Sequence, residues 1–343
     1  MADKLPAPGA IGTTGDQSME IAMATKMQLV LDQPMSDITT KLVNNDFEGD
    51  FFKIGDTVSI VKPSLESVNV TLGSLSMSDG VGGQKLDDRR ISSADLQFSK
   101  TTMTINKFAK YAFIISDITK AEGKWNYESG NLDLSAHKIR KAHNIETCQQ
   151  IVDAAVATQV KMLNSGQPIQ ISNPDSLYED VLLEMHTELY DAGAITADGQ
   201  VTYGSNAQEG KSTSGAIFLP KQLYNEFLKS KYFTDRCTTA ADEKVATGNV
   251  AKVLGLEVNV EPALAPVGQA DGKHVVIAQV AANTYVIIAG TRNAVTRAGK
   301  VLPPDSFRSH DRFATEYHGL EIYGQEIATT EAVVVALVQL VSA

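Results

Sequence analysis

Apolar and polar positions change period several times along the chain, and the changes divide it into segments. Val58 and Ile60 alternate with Thr57 and Ser59, the period-2 signature of a strand that Pro63 ends. Val68, Val70 and Leu72 alternate with Asn69 and Thr71 in a second strand. A glycine- and charge-rich stretch from Gly73 to Arg90 reads as a tip. The return leg carries Leu96 and Phe98 on one parity, then Met103 and Ile105 on the other. That parity switch predicts a bulge or bend. Residues 64–106 therefore read as a long two-stranded projection. An isolated ribbon of this kind is marginal in water, so it needs a covering surface, either its own domain or another subunit. On the second reading Val68, Val70, Leu72, Leu96, Phe98 and Met103 are the expected inter-subunit contacts.

Tyr111 to Ser116 predicts a buried strand. Beyond Trp125 and Gly130 the spacing lengthens. Ala142, Ile145, Cys148, Val152, Ala155, Val160 and Leu163 recur mainly at three and four, and Asn164-Ser165-Gly166 supplies a stop. A helix from Leu134 to Leu163 would be about 45 Å long, the length of a spine. A coiled-coil seam would need sustained heptads, which this alanine-rich stripe does not keep. Asn173-Pro174-Asp175-Ser176 caps a second helix with the stripe Leu177, Val181, Met185 and Leu189, ending at Gly193. A strand over Ala216–Leu219, a helix over Lys221–Lys229 and strands over Val253–Val260, Val275–Ala278 and Tyr285–Ala289 complete a mixed α/β unit of domain size. Phe313–Ile327 reads as an extended strand interrupted at Gly319 and Gly324, and Val333–Val338 as a buried strand. The first fifty residues are polar and weakly periodic and read as an extended arm.

With 343 residues the chain exceeds one compact core, so two or more packed units are expected. Lysine and arginine number 30 against 41 acidic residues, a net charge of -11. That argues against a protein whose main work is gripping nucleic-acid phosphates, and it does not exclude one that merely surrounds nucleic acid. Cys148 and Cys237 form no CxxC pair, so neither a disulfide framework nor a zinc site is expected. The first residues contain no apolar run of the signal-peptide kind, and no segment has the length of a membrane span.

Candidate chemistry is thin. Gly204 to Thr213 has P-loop vocabulary, but five residues separate Gly204 from Gly210, where a P-loop needs four, and Glu209 would sit beside the anion. A polar loop explains it better than a nucleotide hydrolase built on Lys211. Ser309-His310-Asp311 are adjacent, whereas a catalytic triad converges from separate parts of a fold. His137 and His143 lack the i, i+4 spacing of a helical metal pair. Asp87-Asp88-Arg89-Arg90 reads as self-compensated charge at a loop tip. No enzymatic activity, cofactor or metal is expected.

The order of polar arm, strand, long hairpin, strand, spine helix, α/β unit and long β return resembles the major capsid proteins of tailed phages, an α+β class known as the Hong Kong 97 fold. The stretches FFKIGDTVSIVKP, TTMTINKFAKYAFIISDIT, TYVIIAGTRNAVT and DRFATEYHGLEIYGQEIATTEAVVVALV carry the resemblance through their order and spacing. It implies an N-terminal arm over 1–50, a peripheral-domain strand over 51–63 and a hairpin E-loop over 64–106 lying across a neighbouring subunit. It further implies a peripheral domain with the spine helix over 107–172, an axial domain over 173–290, and over 291–343 the β return and closing strand. The implied function is self-assembly into pentamers and hexamers of an icosahedral phage head around double-stranded DNA. The implied partners are further copies of the chain, a separate scaffolding protein, a portal and decoration proteins, with no membrane. A nanocompartment shell of the same fold is the alternative. Some relatives cross-link subunits through a Lys–Asn bond, but Lys85 and Lys100 lack a matching Asn and Glu context.

Overall fold

The computed structural model describes residues 23–27, 31, 37–45, 55–63, 98–118, 127–201, 214–231, 252–264, 274–277 and 283–341. Helix α1 (Ile38–Leu42) leads into β1 (Val43–Asn44); β2 (Thr57–Pro63), β3 (Phe98–Thr104) and β4 (Lys107–Ser116) precede the long helix α2 (Tyr127–Val156). Short strands β5 (Lys161–Met162) and β6 (Ile169–Ile171) come before a helical run that ends in α3 (Leu183–Asp191). Then follow β7 (Ala216–Leu219), α4 (Lys221–Phe227), β8 (Lys252–Val253), β9 (Leu256–Val260) and β10 (Thr284–Gly290). The last strands are β11 (Val295–Val301), β12 (Asp305–Arg308), β13 (Ala314–Ile327) and β14 (Val333–Leu340).

Two sheets and a ribbon organise these elements. In the larger sheet β14 pairs with β10, β10 with β7, and β7 with β9 in parallel. The strands are apolar on both faces because both faces are covered. Val333, Val335 and Leu337 of β14 enter a core with Cys148, Ile151, Val152 and Ala155 of α2. Val334, Ala336 and Val338 enter a second core with Leu177, Val181, Met185 and Leu189, and with Leu223 and Phe227 of α4. One sheet thus lies between the long helix and a second helical layer.

The smaller sheet is built on β13. It pairs with β4 on one side and with β12 and then β11 on the other, while β1 adds in parallel to β11. The ribbon β2–β3 rests on the outer face of this sheet, where Val58, Ile60, Met103 and Ile105 pack with Ala298, Ala328 and Ile322.

Several elements differ from the sequence expectation. The long helix has 30 residues but runs from Tyr127 to Val156, not from Leu134 to Leu163. It closes where Thr158 takes a φ of 61° and the N–H groups of Gln159 and Val160 both return to the carbonyl of Ala154. Val160 and Leu163 remain buried outside it. Val253–Val260 is two strands, because Leu254 and Gly255 both adopt positive φ and turn the chain back on itself. Residues 275–277 are irregular rather than a strand. β13 continues for 14 residues through both Gly319 and Gly324. The β2–β3 pairing runs from Thr57↔Thr104 to Pro63↔Phe98 without an inserted residue, so the expected bulge is absent from that stretch. β4 is half-covered rather than buried: alternate residues face outward. The Asn173 cap is as expected; its side chain accepts the Asp175 N–H, and the stripe of four it starts is fully buried.

Candidate functional site

Two surfaces of the smaller sheet carry its chemistry, one turned inward to α2 and one turned outward. The inward surface is a buried polar seam. On α2 the stripe facing the body includes Arg140, His143, Asn144 and Thr147, all buried. Arg140 pairs with Asp37, donating from Nε to Oδ2 and from Nη2 to Oδ1 at 3.0 Å, and it also reaches the Thr40 hydroxyl. Asp37 is the N-cap of α1 and accepts the Thr40 N–H at 3.2 Å. Burial pushes the Asp37 carboxyl up, but the hydrogen bonds from Arg140 and Thr40 outweigh it and hold the group below its usual range. Thr39 donates to Asn144, and Lys41 meets Glu257 at 2.5 Å, so successive polar residues of α1 tie it to the body.

Further along α2, His143 meets Arg297 of β11 and Glu321 of β13. Arg297 forms an ion pair with Glu321 and donates to Nε2 of His143 at 3.0 Å. Burial, then the adjacent guanidinium, pulls His143 down to about 2, so its imidazole is neutral and Nε2 accepts. Tyr323 lies against both: Arg297 sits 4.8 Å above its ring, and His143 meets it edge-on at 4.8 Å. The Tyr323 hydroxyl donates to Glu146 at 2.5 Å, and Lys107 holds the other oxygen of that carboxylate at 2.7 Å. Gln325 and Thr147 complete the row at 3.0 Å. Every charge here has a partner within the chain. The seam holds α1, α2, β4, β11 and β13 in one relation and presents no open reacting group.

The outward surface is different. Even-numbered residues of β4 point away from α2, and Phe108 and Ile114 are 60% and 47% exposed. On β12, Phe307 is 44% exposed and lies 4.8 Å from the ring of His318, its diagonal neighbour on β13. The registers Phe108↔Ile322, Lys110↔Leu320 and Ile114↔Glu316 place these side chains on one face. The β2–β3 ribbon covers that face only near Ile322 and Ala298. What remains among the described residues is an exposed apolar face interrupted by Lys110, Glu316 and His318.

Of the expected contact residues, Val68, Val70, Leu72 and Leu96 lie outside the described residues, as does the Gly204–Thr213 loop. Phe98 opens β3 opposite Pro63. Met103 is a correction: it is 0% exposed and buried in the chain's own core with Val58 and Ile60, leaving no surface for a neighbour. Phe108, Ile114 and Phe307, which the structure leaves exposed, were not singled out from the sequence. The available signal was a strand apolar on both parities, Phe108 and Ile114 on one and Tyr111, Phe113 and Ile115 on the other. Among the described residues no group of three His, Cys, Asp or Glu is placed to hold a metal ion, and no helix is long and apolar enough to cross a membrane.

No protein-family model and no curated protein matches this chain. Solved structures do. A phage capsid structure, that of Mycobacterium phage Che8, superposes with a TM-score of 0.57 at 15% identity, covering 89% of this chain and 94% of that one. The fold is that of tailed-phage major capsid proteins. Two further structures cover the chain at lower similarity. The capsid of cyanophage P-SCSP1u gives a TM-score of 0.48 at 11% identity over 88% of this chain and 86% of that one. A virus-like particle from Pyrococcus furiosus gives 0.48 at 12% over 92% and 98%.

Proposed function

We propose that this chain is the major capsid protein of a tailed double-stranded DNA phage, assembling through pentamers and hexamers into an icosahedral head. The observation that carries the reading is the outward face of β4, β12 and β13. Its own ribbon covers one end, and Phe108, Ile114 and Phe307 are left for another molecule. A shell subunit needs such head-to-tail surfaces, repeated around rotation axes. Residues 64–106 would be the hairpin that crosses to a neighbour, 107–172 the peripheral domain and 173–290 the axial domain. The net charge of -11 suits a wall that encloses DNA without binding its sequence. Scaffolding, portal and decoration proteins would be its partners, and the virion its location.

The test is expression of the full chain, alone and with a candidate scaffolding protein, followed by sedimentation and negative-stain microscopy. Closed shells, or rings of five and six, are the expected result. A uniform monomer or dimer under both conditions would overturn the reading.

A further inference from the structure

Helix α1 starts over a second buried carboxyl that the seam does not neutralise. Glu261 follows β9 and is 5% exposed. Its Oε1 accepts the N–H of Ala263 at 3.3 Å, and the N–H of Ile38, the first residue of α1, also donates to its carboxyl. Its own backbone N–H is held by the carbonyl of Leu219 at 2.9 Å, so the residue cannot swing away. The charged and titratable groups facing it are Asp37 at the start of α1 and Lys141 and Cys148 on α2. β7 and the turn Pro262–Leu264 bring no charged side chain to it. Arg140, the cation of this corner, is turned to Asp37 and Thr40. Among the described residues no ion pair reaches Glu261.

Two carboxyls therefore serve neighbouring N–H groups of one helix start: Asp37 takes that of Thr40, and Glu261 takes that of Ile38. Only the first has a guanidinium. We propose that Glu261 is a proton-operated latch on the 37–44 segment. As the neutral acid it holds α1 and β1 against the body; as the carboxylate it loosens them. The ionised form is a stronger acceptor for the Ile38 N–H, but it places a buried charge beside Asp37 that the exposed Lys141 offsets only in part, and that cost dominates.

Burial, with the nearby Asp37 charge adding to it, raises Glu261 from 4.5 to about 7. The value is higher in the closed state than in the open one. The latch is therefore fully closed below about pH 4.5, and its contribution is lost as pH rises through about 7. Opening would withdraw β1 from the edge of β11 at Val295 and Thr296. This inference does not depend on the shell reading, and its failure would leave that reading standing.

Hydrogen exchange on the full chain, corrected for intrinsic rates, tests it. Between about pH 6 and about pH 8.5, amides of Ile38–Asn44 should lose about tenfold or more of their protection while those of β10 change little, since one unit of pKa difference is tenfold in the equilibrium. Glu261→Gln keeps a neutral hydrogen-bonding side chain and should abolish this pH dependence. Asp37→Asn removes the neighbouring charge and should move the midpoint of loosening to lower pH. Equal pH profiles in wild type and Glu261→Gln, or an unmoved midpoint in Asp37→Asn, would overturn the latch.

Discussion

Arg140 grips both carboxylate oxygens of Asp37, although 103 residues separate them along the chain. The pair joins α1 to the long helix at a place where both partners are shielded from water. Isolated charges would not survive there, and the geometry accordingly satisfies the guanidinium with Thr40 as well.

Replacing Arg140 with Leu should therefore cost about 3–5 kcal/mol, because it strands the Asp37 charge. Adding Asp37→Ser should recover most of that loss, since serine still caps α1 and no charge remains. Urea unfolding of the single and double variants, followed by circular dichroism, measures both steps.

His143 sets a second expectation. Its value is about 2 when folded and 6.5 when exposed, so the unfolded chain binds one more proton across that interval. Stability from this residue is present above about pH 6.5 and is lost as pH falls below it. Melting temperatures of wild type should therefore drop more steeply between about pH 6.5 and about pH 4 than those of His143→Gln.

Gly319 stands opposite Tyr111 in the β4–β13 register. A Cβ at that position would lie 2.1 Å from the tyrosine ring, which fills the space a side chain would take. Tyr111 also stacks toward Phe113, and Phe113 on Tyr317 at 5.0 Å, so the ring has little room to retreat. Gly319→Ala should destabilise the subunit by about 1–3 kcal/mol. In a Tyr111→Leu background the same substitution should cost less, and a double-mutant cycle by chemical unfolding reads the difference.

Phe108→Ser with Ile114→Ser changes only the outward face. Each substitution should move subunit stability by no more than about 0.5 kcal/mol, as surface changes do, while large assemblies disappear from the sedimentation profile. Loss of folding together with loss of assembly would show that these residues serve the chain's own core instead.

Much of this fold was legible from hydrophobic spacing alone. Ala216–Leu219 and the stripe from Leu177 to Leu189 were readable because each buries an unbroken apolar pattern in its own period. The long helix reads about seven residues too far along because Val160 and Leu163 keep up its apolar spacing beyond the turn at Thr158, and its buried middle is hard to read as well. The middle of its buried stripe is Arg140, His143, Asn144 and Thr147, which look like a solvated face until their partners are known. Those partners, Asp37, Arg297, Glu321 and Gln325, are distant in sequence, so local periodicity cannot announce them. β11 was hidden in the same way: Thr296 and Arg297 are buried in it, and their burial depends on α2 and β13. The outward face failed to stand out because an exposed apolar residue looks identical in sequence to one that is covered.

β14 lies between β10 on one side and β5 and β6 on the other, and its alternate residues complete the cores on both faces of the large sheet. It is also the last strand in chain order among the described residues. During synthesis, both cores therefore stay open until residue 340 has left the ribosome. Neither half can mature ahead of the other. A chain whose translation is aborted before that point lacks the strand that completes both cores, and it leaves their apolar residues open to water and to proteolysis.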